Sequence, residues 1–418
     1  MIVHKFGGAA VKDTNGVMNL SEILKTRQEK KVIVVSAFGK TTNNLEELTS
    51  YIYNRDKKSF NEKLQTIWDY HYKIMYGLFA GGSPIFFEID KLFNTLEDLY
   101  DSNYKGYDYL YDQVVSIGEL LSTKVVQSFL AQEGIPCQWL DIRKFLKTDS
   151  TYREAIVNWD KSEKLINEGF NCDEKSIVTQ GFIAGGEYGD STTLGREGSD
   201  YTAAILGNIL NSEQVITWKD VAGVLNADPR FFDKPRKLKE ISYQEAIELA
   251  YYGAKIIHPK TIKPLINKNI PLYVNSFLYP ERKGTMISKF TSFDENLPIY
   301  IMKEKQMLIS IQPRDYSFIF EEQLSSIYQK FAQHRVKVNL MQNSAITFTV
   351  SVDEENPRVP QLLEDLRNDY KVLYNKGLAL ITIRHYTEEA MKDFLKNRKV
   401  LVEQRSRHTA QFIIEDQK

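Results

Sequence analysis

Lys5 stands directly before Phe6-Gly7-Gly8, so a cation lies beside two residues whose missing Cβ lets a phosphate approach the backbone. Charge and glycine are paired again in Leu194-Gly195-Arg196-Glu197-Gly198-Ser199-Asp200, where Ser199-Asp200 opens a run of helix formers. Ser199 is a natural N-cap, and Asp200 in the first turn suits the positive end of the helix dipole. A strand, a glycine-rich loop and a helix start can hold an anion, but the acidic Asp200 argues against phosphate at that spot. Further polar residues fall at strand ends: Ser36 with Thr42 six residues on, Glu119 in Ser116-Ile117-Gly118-Glu119, and Lys219-Asp220. Asp228-Pro229-Arg230 and Lys255, just after Gly253, complete the set. Open α/β sheets bind ligands at the carboxyl ends of their strands.

Other chemistries have less support. Gly39-Lys40-Thr41 resembles the end of a phosphate loop, but a Walker A motif needs a further glycine where Val34 stands. No Gly-x-Gly-x-x-Gly follows a strand, and no pair of the six histidines has metal-ligand spacing, so the expected metal set is none. His258-Pro259 reads as a structural histidine. Cys137 and Cys172 offer neither a disulfide framework nor a Cys-x-x-Cys site.

The elements that must position these residues alternate. Short β-branched apolar runs at 2–6, 31–35, 135–140, 176–183, 214–219 and 270–274 predict strands. Helical patterns fall at 11–26, 116–132, from 199 and at 242–253, the last with Ser242 and Glu245 in capping-box spacing and Gly253 as its stop. Residues from about 43 to 112, rich in Leu, Tyr, Lys and Glu, read as an inserted helical patch. Continuous apolar strands between helices imply an α/β fold with a mainly parallel sheet covered on both faces. After about residue 280 the composition shifts through loop-like Pro280 and Pro298 segments. Strand, helix, hairpin, helix and strand then follow at 306–311, 317–333, 336–341 with 346–352, 357–368 and 371–374, the βαββαβ order of a ferredoxin-like domain. From 378 the pattern restarts at 378–384, 387–397, 399–404 and 411–415, and this second unit lacks its closing helix and strand. The domain reading is 1–295 and 299–418, the latter split at about 376.

At 418 residues the chain has room for two or three domains. Its 54 Lys and Arg against 55 Asp and Glu mark neither a nucleic-acid partner nor an anionic membrane. No signal-peptide pattern precedes the first strand and no apolar run approaches a membrane span, so a cytoplasmic protein is expected.

The motifs taken together resemble the aspartate kinases of the amino-acid kinase superfamily. The matching set is Lys5-Phe6-Gly7-Gly8, Ser116-Ile117-Gly118-Glu119, Gly181-Phe182-Ile183, the Leu194–Asp200 stretch with Tyr201-Thr202-Ala203, Ala227-Asp228-Pro229-Arg230, and Gly253-Ala254-Lys255 with His258-Pro259. It runs colinearly from residue 2 to about 288, and the tail resembles the family's paired ACT domains. The resemblance implies phosphorylation of the side-chain carboxylate of L-aspartate by ATP with Mg²⁺ carried on the nucleotide, the first step toward lysine, threonine and methionine. It also implies a homodimer formed through the ACT region.

By the same resemblance Lys5 and Lys255 hold and neutralise the phosphates, beside Gly7 and Gly8. Arg196 clamps the substrate α-carboxylate, a bidentate task suited to arginine. Glu119 and Asp200 face the α-ammonium, Ser36, Thr42, Phe182 and Ser199 shape that pocket, and Lys219, Asp220, Leu225 and Arg230 take nucleotide positions. Singly, each has an ordinary alternative: Glu119 as capping partner of Ser116, Asp200 as a dipole partner, Asp228-Pro229-Arg230 as a turn, Lys255 and Arg230 as surface charges.

Ala9-Ala10 replace a usual hydroxyl pair, Leu225 a common tyrosine and Lys219 a frequent threonine. In the tail, the place of an effector-binding glycine loop reads Gln312-Pro313-Arg314-Asp315, and Asn339 stands where a carboxylate would pair an effector ammonium. Weak or absent inhibition by lysine or threonine is therefore expected. The competing readings are an amino-acid kinase of other substrate and a non-catalytic amino-acid sensor.

Overall fold

The computed structural model describes residues 1–170, 176–232, 234–254, 257–290, 297–396 and 398–415. The chain divides into two compact units. The first holds Met1–Val224, Lys237–Ile247 and Ile256–Phe293, and the second holds Leu225–Arg236, Glu248–Lys255 and Asp294–Lys418. The main division lies where the linker composition was read, but two short segments before it group with the second unit.

Strands with no polar alternation form the centre of the first unit. β1 (Ile2–Phe6) and β2 (Lys31–Val35) are buried at every position, as befits strands covered on both faces. Between them runs α1 (Thr14–Lys25), shorter than the expected 11–26 because Asp13 caps it by accepting from Gly16 N–H at 2.8 Å. The helical patch is confirmed as α2 (Thr41–Tyr53), α3 (Lys57–Leu78), α4 (Pro84–Asp101) and α5 (Tyr107–Gln132).

After the patch come β3 (Cys137–Leu140), α6 (Trp159–Gly169), β4 (Ser176–Gln180), β5 (Ile183–Gly185), β6 (Ser191–Thr193), α7 (Gly198–Ile209) and β7 (Gln214–Lys219). β8 (Glu240–Ser242), α8 (Tyr243–Tyr252), α9 (Pro259–Lys268), β9 (Leu272–Ser276) and β10 (Thr285–Ser288) close the set. The sheet order is β3-β4-β2-β1-β7-β9-β10-β8, parallel except for the β9–β10 pair. β1, β2, β4 and β7 therefore all end at one edge of the sheet, and their following turns share it.

α5 corrects two expectations. It starts at Tyr107, so Ser116 and Glu119 lie mid-helix, and Ser116 Oγ donates to Gln113 O at 3.0 Å instead of capping. Among the described residues it is also the one helix long and apolar enough to cross a membrane. Most of it is buried in the protein interior, where Val114, Val115, Leu121 and Val125 have no exposure.

The second unit opens with β11 (Ile299–Pro313), α10 (Glu321–Gln333), β12 (Val338–Asn343), β13 (Phe348–Asp353) and α11 (Val359–Asp369). It ends with β14 (Tyr370–Arg384), α12 (Glu388–Leu395), β15 (Val400–Arg405) and β16 (Thr409–Glu415). All strands form one antiparallel sheet in the order β12-β13-β11-β14-β16-β15. β14-β11-β13-β12 is the ferredoxin-like order, as expected, with Ile309, Ile311, Phe348 and Val350 packed against Ile327, Phe331, Leu362 and Leu366.

The short second half is completed from upstream in the chain. Ile299–Lys303, for which no element was expected, pairs with Leu380–Arg384 and supplies the missing fourth strand. Ile381, Ile383, Phe412 and Ile414 then pack under Met391 of α12. Each such apolar side chain contributes about 1.5–3 kcal/mol on burial.

His71, on α3, is wholly buried between the rings of Phe38 and Phe93, its Nδ1 bonded to Ile67 O at 2.8 Å and its Nε2 without a partner. Burial pushes it down to about 4 from 6.5. In acid the unfolded chain takes up this proton first. Stability is therefore full above pH 6.5 and falls as pH drops toward 4. Urea unfolding at about pH 7 and about pH 5 should show a loss nearing about 1.4 kcal/mol per pH unit, reduced in His71→Leu.

Candidate active site

Lys5 and Asp200 meet inside the first unit. Lys5, in β1, is 7 % exposed, and its Nζ donates to Asp200 Oδ2 at 2.6 Å. Asp200, 5 % exposed, accepts from Thr217 Oγ1 at 2.9 Å through Oδ1. Burial alone would raise this carboxyl, but the Lys5 and Lys219 charges and the hydrogen bonds from Lys5 and Thr217 hold it down to about 2. Asp200 is thus an anion bonded to Lys5 and Thr217. Removing one partner of such a buried pair costs about 3–5 kcal/mol.

The turn after β1 is built for close approach. Ala10 N–H donates to Gly7 O at 2.9 Å and Gly39 N–H to Gly8 O at 3.0 Å, so the turns after β1 and β2 are joined. A Cβ on Gly8 would lie 2.8 Å from Ala37 O, closer than any side chain tolerates. Among the described residues the N–H groups of Gly8 and Ala9 donate to no protein acceptor. Two unpaired amides beside an ammonium group make an anion cradle.

Glu119 reaches the turn after β2. Its Oε1 accepts from Ala37 N–H at 3.3 Å, next to Ser36, while Oε2 is buried without a partner among the described residues. Burial pushes this carboxyl up to about 8, only slightly offset by the Ala37 amide. Thr42 is half-buried in the first turn of α2, close in sequence to the same turn.

Phe182, in the left-handed region with φ 69°, donates its N–H to Thr202 Oγ1 at 3.1 Å. The expected cap at Ser199 gives way to Glu197, also left-handed with φ 53°, because α7 begins one residue earlier at Gly198. Glu197 Oε2 accepts His258 N–H at 2.7 Å, and His258 Nδ1 accepts Lys260 N–H at 3.2 Å to cap α9, a structural role as expected. A Cβ on Gly198 would lie 2.7 Å from Phe182 Cδ2, and one on Gly181 would overlap Ser199. Two glycines therefore let the start of α7, with Ser199 and Asp200, press against the end of β4. Arg196 stands just before α7, exposed, with no ion pair or hydrogen bond among the described residues.

Other expected residues stand apart. Lys219 is half-buried at the end of β7 and Asp220 is exposed beyond it. Leu225 and Arg230 belong to the second unit, where the Arg230 guanidinium is exposed and fork-bonded to Asp228. Lys255 and Cys172 lie outside the described residues. Thr217, Asp112 and Gln113 escaped the sequence reading. A buried threonine in a central strand carries no pattern, Asp112 was taken as the end of the helical patch, and Gln113 fell between that patch and the helix expected from 116.

Residues 1–276 match the amino acid kinase family. Bifunctional aspartokinase/homoserine dehydrogenase 1 of Zea mays is 34 % identical over 68 % of the chain, and the chain spans 32 % of that protein's length. Lysine-sensitive aspartokinase 3 of Escherichia coli is 29 % identical over 92 % of the chain and 86 % of its own length. The crystal structure of E. coli aspartokinase III with aspartate and ADP superposes with TM-score 0.83 at 26 % identity, covering 100 % of this chain and 96 % of that one. The Clostridium acetobutylicum aspartate kinase, at 21 % identity and TM-score 0.82, shares the fold. The chain belongs to the amino acid kinase family, and it is similar over nearly its whole length to aspartokinases.

Proposed function

We propose that the chain transfers the γ-phosphoryl group of ATP to the side-chain carboxylate of L-aspartate. The observation that carries this reading is the buried, unpartnered Glu119 Oε2 beside the Ser36 turn. Burial raises this carboxyl to about 8 and so favours its neutral form, and an α-ammonium bound beside it would stabilise the ionised form and give Oε2 its partner. Arg196 would take the α-carboxylate with both guanidinium nitrogens. Ser36, Thr42, Phe182 and Ser199 line the remaining space in this reading. That the E. coli relative was crystallised with aspartate and ADP supports it.

The chemistry asks little of the protein beyond alignment. A carboxylate is ionised at neutral pH, so the nucleophile needs no general base. The reaction brings two anions together, and the gain comes from positioning and from neutralising charge on the transferred group. Lys5 supplies that charge, and Asp200 with Thr217 holds its ammonium in place. The Gly8 and Ala9 amides would receive phosphate oxygens, with Lys255 as the second cation. Mg²⁺ would arrive on the nucleotide and lower the charge of the phosphates. Ala9-Ala10 remove hydroxyl donors there, so turnover should be modest.

In the second unit, the place where an effector ammonium would meet the protein is already satisfied. The Asn339 amide donates to Gln306 and Asp353, and its carbonyl accepts Lys303 Nζ at 2.9 Å. The unit would chiefly pair two copies of the chain. Adding lysine or threonine should then change the rate less than about twofold; strong inhibition by either would contradict this.

A coupled assay should find ADP release that depends on aspartate. Arg196→Ala should raise the aspartate KM by about tenfold or more with little change in the ATP KM. Turnover without aspartate, or an unchanged KM, would refute the reading. Glu119→Gln tests the carrying observation directly. A glutamate raised in the folded state, here to about 8 from 4.5, loses stability as pH climbs through that interval. The glutamine variant should therefore gain on the parent in urea at about pH 9 relative to about pH 5, while losing aspartate affinity.

A further inference from the structure

We infer that Asp112 is a positioning residue for substrate recognition: it fixes the main chain that carries Arg196, and α5 sets that point relative to Glu119. The inference rests on the proposed roles of Arg196 and Glu119.

Asp112 has no exposed surface. Its carboxylate accepts Thr193 N–H at 2.9 Å, Thr193 Oγ1 at 2.7 Å and Arg153 N–H at 3.1 Å. Burial drives its carboxyl up to about 6, and the Arg153 and Thr193 hydrogen bonds work against that rise. A buried carboxylate aimed at two main-chain amides fixes the path of those two segments. The next residue on the helix acts the same way: Gln113 donates to Ser191 O at 2.9 Å and accepts Ser191 N–H at 3.0 Å. Consecutive side chains of α5 thus hold both ends of β6.

The segment continues under restraint. Thr193 O accepts Ala155 N–H at 2.9 Å, and Leu194 N–H donates to Phe182 O at 2.9 Å. Gly195, at φ 74°, leaves a Cβ position only 3.2 Å from Arg153 O, so it turns tightly against the strip that Asp112 also holds. The next residue is Arg196, the first side chain of the run free of protein partners among the described residues. On the same helix, Glu119 follows Asp112 by seven positions, two turns on and nearly the same face, about 10 Å along the axis. One rigid helix therefore bears the carboxylate proposed to meet the ammonium and the carboxylate that locates the guanidinium. Their separation becomes a property of the fold, which favours one amino-acid backbone placement.

The test uses the full chain. Asp112→Asn removes the charge and leaves a single acceptor oxygen for the two N–H groups, with an amide donor facing the Thr193 hydroxyl, and should raise the aspartate KM about tenfold, with kcat and the ATP KM within about twofold. Thr193→Val removes the Oγ1 bond alone and should act in the same direction by a smaller factor. In an Arg196→Ala background, Asp112→Asn should add less than about twofold, since both changes disable one device. A KM unchanged by Asp112→Asn, or multiplied equally with and without Arg196, would overturn the inference and make Asp112 a stability residue only. If Asp112→Asn does not fold, Thr193→Val in the two backgrounds decides by the same comparison. An Arg196→Ala enzyme with an unaltered KM would instead remove the clamp on which the inference stands.

Discussion

The ion pair between Lys5 and Asp200 is the constraint from which the site follows. A lysine near the end of a strand buried on both faces is expensive. It is tolerated because Asp200, itself steadied by Thr217, sits at hydrogen-bond distance. That closeness requires the start of α7 to press against the end of β4, which Gly181 and Gly198 permit by having no Cβ to collide. The left-handed Phe182 and Glu197 are the backbone cost of the same approach. The result is a fixed cation beside two unpaired amides, at the edge where parallel strands end.

α5 complements that pair. It is long and apolar enough to be mistaken for a membrane segment, yet it carries two buried carboxyls and a glutamine on its length. Glu119 remains unsatisfied on one oxygen while Asp112 is fully engaged. The contrast separates a group kept open for a ligand from one that holds the scaffold. Burial raises both, to about 8 and about 6, and the number of donors decides how far.

Much of this was legible in the amino-acid order, for physical reasons. The runs at 2–6, 31–35 and 214–219 have no polar alternation, and only a doubly covered parallel strand uses such a run. Gly-flanked charges at strand ends pointed to the right edge of the sheet. What stayed hidden depended on tertiary partners. β5, β6 and β8 have three residues each, too short to show a period. Ser116 and Ser199 looked like caps because serine before a helix pattern usually is one, but the neighbouring chain extended both helices past them. Ile299–Lys303 carried no strand expectation because its partner strand comes some eighty positions later. The bond of Asp200 to Lys5 joins residues 195 positions apart, which no local pattern shows.

The central claim is that a carboxylate, held by this site, becomes an acyl phosphate. Acyl phosphates react with hydroxylamine to give hydroxamates, so trapping the product identifies the bond formed rather than the ATP consumed. With ATP, Mg²⁺ and L-aspartate, the account expects hydroxamate to appear in step with ADP, and neither to appear when aspartate is left out. ADP released without hydroxamate, or hydroxamate formed equally well from an amino acid with no side-chain carboxylate, would contradict it.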